Sequence, residues 1–144
     1  MGNDVFAEPW LDEALAEYSV VLYLEEIEGA EVAQQHLQQY QDQLTRLRLV
    51  EGDERLVGSP VWEFAPRGEH YFDIVYGMGT LFMDALRREI GSEAFFKGWR
   101  TYYEQHRFGV ATGSGFLEAI QQAAGRDLRP FFEEWVGSLT PNGD

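Results

Sequence analysis

The chain has 144 residues, 44% of them hydrophobic and 15% aromatic, which suffices for one domain with a packed core and excludes a disordered polypeptide. Its formal net charge of -14 argues against nucleic acid phosphates or anionic membrane surfaces as partners. Cysteine is absent, so disulfides and Cys-based zinc sites are excluded, and no apolar run approaches the ~18 residues that read as a membrane span.

The opening residues, MGNDVFAEPW, lack a basic start and an apolar stretch, so no signal peptide is read and the compartment stays open. The pattern that follows predicts a single all-α domain over residues 1–144, an irregular multi-helix bundle of about six helices. The first helix starts at Pro9, whose missing N–H costs nothing at an initial position, and runs from Trp10 to Glu28, before Gly29. Leu11, Leu15, Tyr18 and Leu22 form one apolar stripe on it, and Ala16, Val20, Leu24 and Ile27 form another. A helix apolar on two faces is expected to be buried on both.

A second, amphipathic helix spans Glu31 to Arg48, with Ala33, Leu37, Tyr40, Leu44 and Leu47 at spacings of three and four. From Val50 to Glu69 the period breaks at Gly52, Gly58, Pro60, Pro66 and Gly68, with a short extended piece expected at Val61 to Phe64. Such a long connection reads as a functional loop. The third helix runs from Tyr71 to Ile90, stopped by Gly91. Ser92 is the expected cap of a fourth helix to Glu104, with Phe95, Trp99 and Tyr102 facing inward. A fifth helix begins near Ser114 and ends at Gly125, and Asp127 is the expected cap of a short sixth helix through Trp135 that tolerates Pro130 in its first turn. The tail, SLTPNGD, reads as a frayed end or a link to a further domain.

Two segments carry the candidate chemistry. On the first helix, Glu13 and Glu17 head an otherwise apolar stripe, where a carboxylate needs a cation, a hydrogen-bond donor or a metal. Position alone favours a helix-start acid matched to the helix dipole over a metal ligand. On the third helix, Gly77 and Gly79 interrupt a helical pattern at about 1 kcal/mol each, which points to close approach of another backbone or a substrate. Read without comparison, Tyr76 is a core tyrosine with a satisfied hydroxyl.

The segment WLDEALAEY resembles the W-L-N/D-E-G/A-x-A-x-Y pattern of gluzincin-type zinc aminopeptidases, the M1 family. The resemblance implies that Glu13 is the third zinc ligand, following two histidines of an HExxH helix whose second His would precede Met1. Two ligands on one helix and one on the next leave an open zinc position for water. IVYGMGTLFMDALRREIGSEAFFKGWRTYY is similar to the family's V-Y-x-K-G block, whose Tyr, here Tyr76, donates to the oxyanion formed at the scissile carbonyl. Met78 stands where Lys is frequent, Asp12 and Ala14 where Asn and Gly are common, and Tyr71 is similar to a second tyrosine of some members. RFGVATGSGFLEAIQQAAGRDLRPFFEEW extends the likeness, which covers Asn3 to Trp135 and is looser between residues 30 and 68.

The resemblance thus implies part of a zinc metallopeptidase acting on the N-terminal residue of a peptide substrate. HExxH does not occur in the chain, and His36, His70 and His106 lack partners four residues away. Each histidine is expected in a structural or surface role. The HExxH general base and the family's GxMEN-type strand for the substrate amine are likewise not in this sequence. The isolated chain is therefore expected to bind zinc weakly or not at all, to be inactive, and to self-associate through an apolar groove that the N-terminal part of the domain would cover. The rival reading is a non-catalytic helical module that keeps the family's fold to bind a protein partner.

Overall fold

The computed structural model describes residues 2–139. The tail expected to fray lies mostly outside them. Among the described residues are six α-helices: α1 (Trp10–Ile27), α2 (Ala30–Arg46), α3 (Gly79–Ile90), α4 (Ser92–His106), α5 (Gly113–Ala124) and α6 (Arg129–Trp135). The fold is all-α, as expected, with one addition. Two-residue strands β1 (Gly2–Asn3) and β2 (Val110–Ala111) pair in parallel, Gly2 opposite Val110 and Asn3 opposite Ala111. The Glu8 carboxylate tightens this join by accepting the Gly113 N–H at 3.1 Å.

The core is aromatic and spans the helices. Trp10 meets Phe82 and Phe116 edge-on at 5.8 and 6.2 Å, and Phe82 meets Phe132 edge-on at 5.1 Å. Such pairs each contribute about 1 kcal/mol beyond the area they bury. α1 packs on both α2 and α3, burying Trp10, Leu11, Ala14, Leu15, Tyr18 and Val21. Burial on two faces does not hold. Ala16 is exposed, and Val20, Tyr23 and Ile27 are 40%, 61% and 59% exposed, an apolar stripe left partly open among the described residues. Periodicity shows that a face is apolar; α2 and α3 both lie on the other side.

The expected third helix is two helices in series. Residues Phe72–Met78 form a π-helix, and the Gly79 N–H reaches the Ile74 carbonyl five residues back. α3 proper begins at Gly79. Two glycines weaken the α-helix here, and both face close neighbours. A Cβ on Gly77 would stand 2.9 Å from the Tyr40 ring, and one on Gly79 would stand 2.7 Å from the Ala14 Cβ. The expectation of close approach is met by α1 and α2.

Three local expectations are corrected. Val61–Phe64 is a 3-10 turn following Pro60, not extended chain, with Glu63 N–H donating to the Pro60 carbonyl. Gly91 at φ 84 occupies the cap position of α4, and the Ser92 hydroxyl instead accepts the Arg87 Nε–H at 2.9 Å. Leu128, not Asp127, precedes α6; the Asp127 carboxylate accepts the Arg129 N–H at 3.0 Å instead.

The connection from α2 to the π-helix is ordered by charge. α2 ends in a π-turn, Leu47–Glu51, from which Arg48 donates to the carbonyls of Asp53 and Arg55. The Asp53 side chain, 8% exposed, accepts the Arg55 N–H at 3.0 Å, the Arg55 Nε–H at 3.1 Å and His70 Nδ1–H at 2.8 Å. The Arg55 guanidinium, with His70 assisting, holds the Asp53 carboxyl well below the usual carboxylate range.

Two outcomes follow from this packing. Gly79→Ala forces α1 and α3 apart and costs about 2 kcal/mol, read from the midpoint and slope of urea unfolding. Because the folded-state pKa of Asp53 is depressed, its contribution to stability is complete above the ordinary value of 3.8 and fades as pH falls below it. Asp53→Asn is therefore expected to cost the same at about pH 7 and pH 5, somewhat less at about pH 3 and much less only as pH falls further, measured by denaturation across that series.

Candidate active site

The candidate residues converge from three elements. α1 presents Glu13 in its first turn and Glu17 one turn later, both half-buried. The π-helical run, Phe72–Met78, carries Tyr76 and is preceded by Tyr71. α2 contributes His36 and Tyr40. The Gly79–Ala14 contact sets the depth of this junction, because Ala14 follows Glu13 directly and Gly79 lies nearly one turn beyond Tyr76.

The structure brings Glu13, Tyr71 and Tyr76 together. Burial first, then the hydrogen bond and charge of Glu13, push the Tyr76 phenol up to about 12. Burial and then the Glu13 charge also raise Tyr71. The two phenol rings meet edge-on, 6.1 Å apart at 68°. At neutral pH, Tyr76 is therefore a protonated donor beside a carboxylate.

Glu17 takes a different direction. Its carboxylate accepts the Tyr40 hydroxyl at 2.6 Å and lies 3.6 Å from His36 Nε2. Burial and the Glu17 carboxylate raise the Tyr40 phenol far above its ordinary value. This contact ties α1 to α2 one turn past Glu13. Met78, where the family often has Lys, is buried, and its sulfur accepts from Arg48 at 3.4 Å. His106 donates from Nδ1 to the Tyr102 carbonyl at 3.0 Å and His70 to Asp53, so both have structural roles.

Sequence reasoning missed Phe72 and the polar use of Tyr40. Phe72 is 53% exposed, yet its ring stacks on Tyr76 at 5.0 Å and 18° and lies 6.5 Å from Tyr40. The signal available was the four-residue spacing of Phe72 and Tyr76, which sets both rings on one helical face. The hydroxyl partner of Tyr40 had no such signal, since it lies 23 residues away in the chain.

A zinc site needs about four donors. Among the described residues, no group of three or more His, Cys, Asp or Glu side chains could hold a metal ion. Glu13 offers one carboxylate donor, a fit to a single position of such a set and not to the whole of it.

Comparison with known proteins bears on the same residues. The profile of the Peptidase family M1 domain matches residues 2–135. The chain is similar to aminopeptidase N of Lactococcus lactis subsp. lactis, 38% identical over 63 residues, which is 44% of this chain and 7% of that protein. It is 36% identical to aminopeptidase N of Streptomyces lividans over 63 residues, again 44% of this chain and 7% of that protein. With the Tricorn protease-interacting factor F2 of Thermoplasma volcanium, identity is 31% over 64 residues, 44% of this chain and 8% of that protein. The chain thus matches only a small part, 7 to 8%, of the length of these relatives. No solved structure matches it at a significant level. Because the family profile runs from β1 to the last residue of α6, through both Glu13 and Tyr76, the chain belongs to peptidase family M1.

Proposed function

We propose that this chain is the C-terminal helical part of the catalytic domain of a zinc-dependent aminopeptidase, which removes N-terminal residues from peptides. The observation that carries this reading is the family match over residues 2–135, which runs through both Glu13 and Tyr76, and the influence of the Glu13 charge on the Tyr76 phenol supports it. Glu13 would hold the metal at one position. The remaining donors and the HExxH general base come from polypeptide outside this sequence. When bound, zinc supplies a Lewis acid for the carbonyl and the attacking water.

The residues of this chain do the rest by positioning. Tyr76 keeps its proton across the neutral range and donates O–H to the oxygen on which charge develops during attack. The Tyr40–Glu17 hydrogen bond holds α1 to α2, and Gly79 against Ala14 holds it to α3. Between them, Glu13 is kept at its distance from the phenol. Tyr71 and the exposed face of Phe72 border the same space.

The apolar stripe Ala16, Val20, Tyr23 and Ile27 supports two readings. In the whole enzyme it is the face that the N-terminal part of the catalytic domain covers. In a non-catalytic relative it would serve a protein partner instead. Either way the isolated chain leaves it open to a second copy.

In the whole enzyme, Tyr76→Phe is expected to lower kcat by about 100-fold with metal content unchanged. Glu13→Ala should abolish stoichiometric zinc binding, and retention of zinc by that variant contradicts the ligand assignment. The chain alone, supplied with zinc and a panel of fluorogenic aminoacyl substrates, is expected to show no turnover; robust activity with one metal per chain defeats the reading. For the stripe, light scattering should show concentration-dependent association that Val20→Asp together with Ile27→Asp abolishes. A monomer at high concentration that binds no hydrophobic dye sinks that expectation.

A further inference from the structure

We infer that the half-buried Asp53–His70 pair is the positioning element of the candidate site: Asp53, held by Arg55, pins His70 in a left-handed backbone conformation and so fixes where Tyr71 and the helical run bearing Tyr76 begin. Its catalytic meaning rests on the aminopeptidase reading; its geometry does not.

His70 is the one non-glycine residue with positive φ among the described residues, at 63°. That conformation is unfavourable for a side-chain-bearing residue, so something must hold it. The imidazole does so by donating to Asp53 at 2.8 Å. The consequence is immediate in the chain. The His70 carbonyl accepts the Ile74 N–H at 3.0 Å, which closes the first turn of the segment. Tyr71 follows His70 directly, and Tyr76 lies in the π-helical run that this turn starts.

A second route leads from the same carboxylate to the same tyrosine. Arg55, clasped by Asp53, also donates to the carbonyls of Glu63 at 2.8 Å and Glu69 at 3.2 Å. Its guanidinium lies over the Phe64 ring, 4.3 Å from the centroid. Phe64 in turn meets Tyr71 edge-on at 5.1 Å and 87°. One carboxylate therefore fixes Tyr71 through its backbone neighbour and through the ring beside it.

A loop needing only stability could close on apolar contacts, whereas an arginine–carboxylate pair partly removed from water carries some desolvation cost. What the pair adds is direction. Both of its arms end at Tyr71, which touches Tyr76. Neither Asp53 nor His70 contacts Glu13, so both are positioning residues and not catalytic ones.

The test uses the 144-residue chain with 3-fluorotyrosine at its seven tyrosines, read by fluorine NMR at one neutral pH and assigned by single Tyr→Phe changes. His70→Gly accepts the left-handed conformation but removes the partner of Asp53. His70→Asn keeps a donor and tolerates the same conformation. Expected for His70→Gly are displaced Tyr71 and Tyr76 resonances with Tyr18 and Tyr102 in place, and for His70→Asn a return of both toward the wild-type positions. If His70→Gly leaves Tyr71 and Tyr76 unmoved, the proposal falls, whatever happens to thermal stability. Should His70→Gly disturb all seven resonances through loss of fold, Asp53→Asn, which keeps the side chain's shape, decides by the same criterion. No activity or metal enters the readout, so failure of the aminopeptidase reading would leave this result standing, and the reverse.

Discussion

The near-contact between Ala14 and Gly79 governs the geometry around it. With only a methyl group on one side and hydrogen on the other, α1 and α3 approach until a second Cβ would clash. Glu13 and Tyr76 each lie within one helical turn of that contact point, so their separation is inherited from backbone packing. Long flexible side chains could not set it with the same rigidity, since each would add rotamers to be fixed. Gly77 repeats the device against the Tyr40 ring and brings α2 into the same junction.

Charge is used sparingly inside this acidic molecule. Only 11 residues are Lys or Arg against 25 Asp or Glu. Several of the arginines tie one segment of the chain to another. Arg87 bonds Glu25 at 2.6 Å across α3 and α1, Arg126 bonds Glu89 at 2.6 Å, and Arg48 and Arg55 organise the long connection. The Tyr18 phenol is pushed up to about 12, chiefly by burial, and joins the Arg87–Asp84 network as a neutral donor. Cations committed to structure leave the surplus of acid to solvent, which favours solubility despite a partly open apolar stripe.

The helices and their inward faces were legible because burial follows the apolar period, and Leu11, Leu15, Tyr18, Leu37 and Phe95 all fall where it puts them. Glu13 and Tyr76 were legible only as motif positions; their meeting is a tertiary fact. The π-helix was not legible, because hydrogen-bond register leaves little trace in side-chain spacing. Ser92 and Asp127 are good cap residues by type, but Gly91 and a local turn took the work from them. The Asp53–His70 pair joins residues 17 apart through a loop with no period at all. The exposed side of α1 was misread because apolar composition says what a face prefers, not what stands opposite it.

The wide helical run ahead of α3 has an implication for how this site can vary. A turn closed over five residues holds more chain than an α-turn closed over four. Removing one residue between Tyr71 and Gly79 would let the segment rewind as ordinary α-helix while Gly79 stays seated on Ala14. Because the wide turn already accommodates that extra residue, the residues upstream would keep nearly their present facing. Rewinding at unchanged length would instead turn them by about 100° around the axis. The five-residue closure is thus what lets Tyr71 border the space beside Glu13 with this number of residues before Gly79.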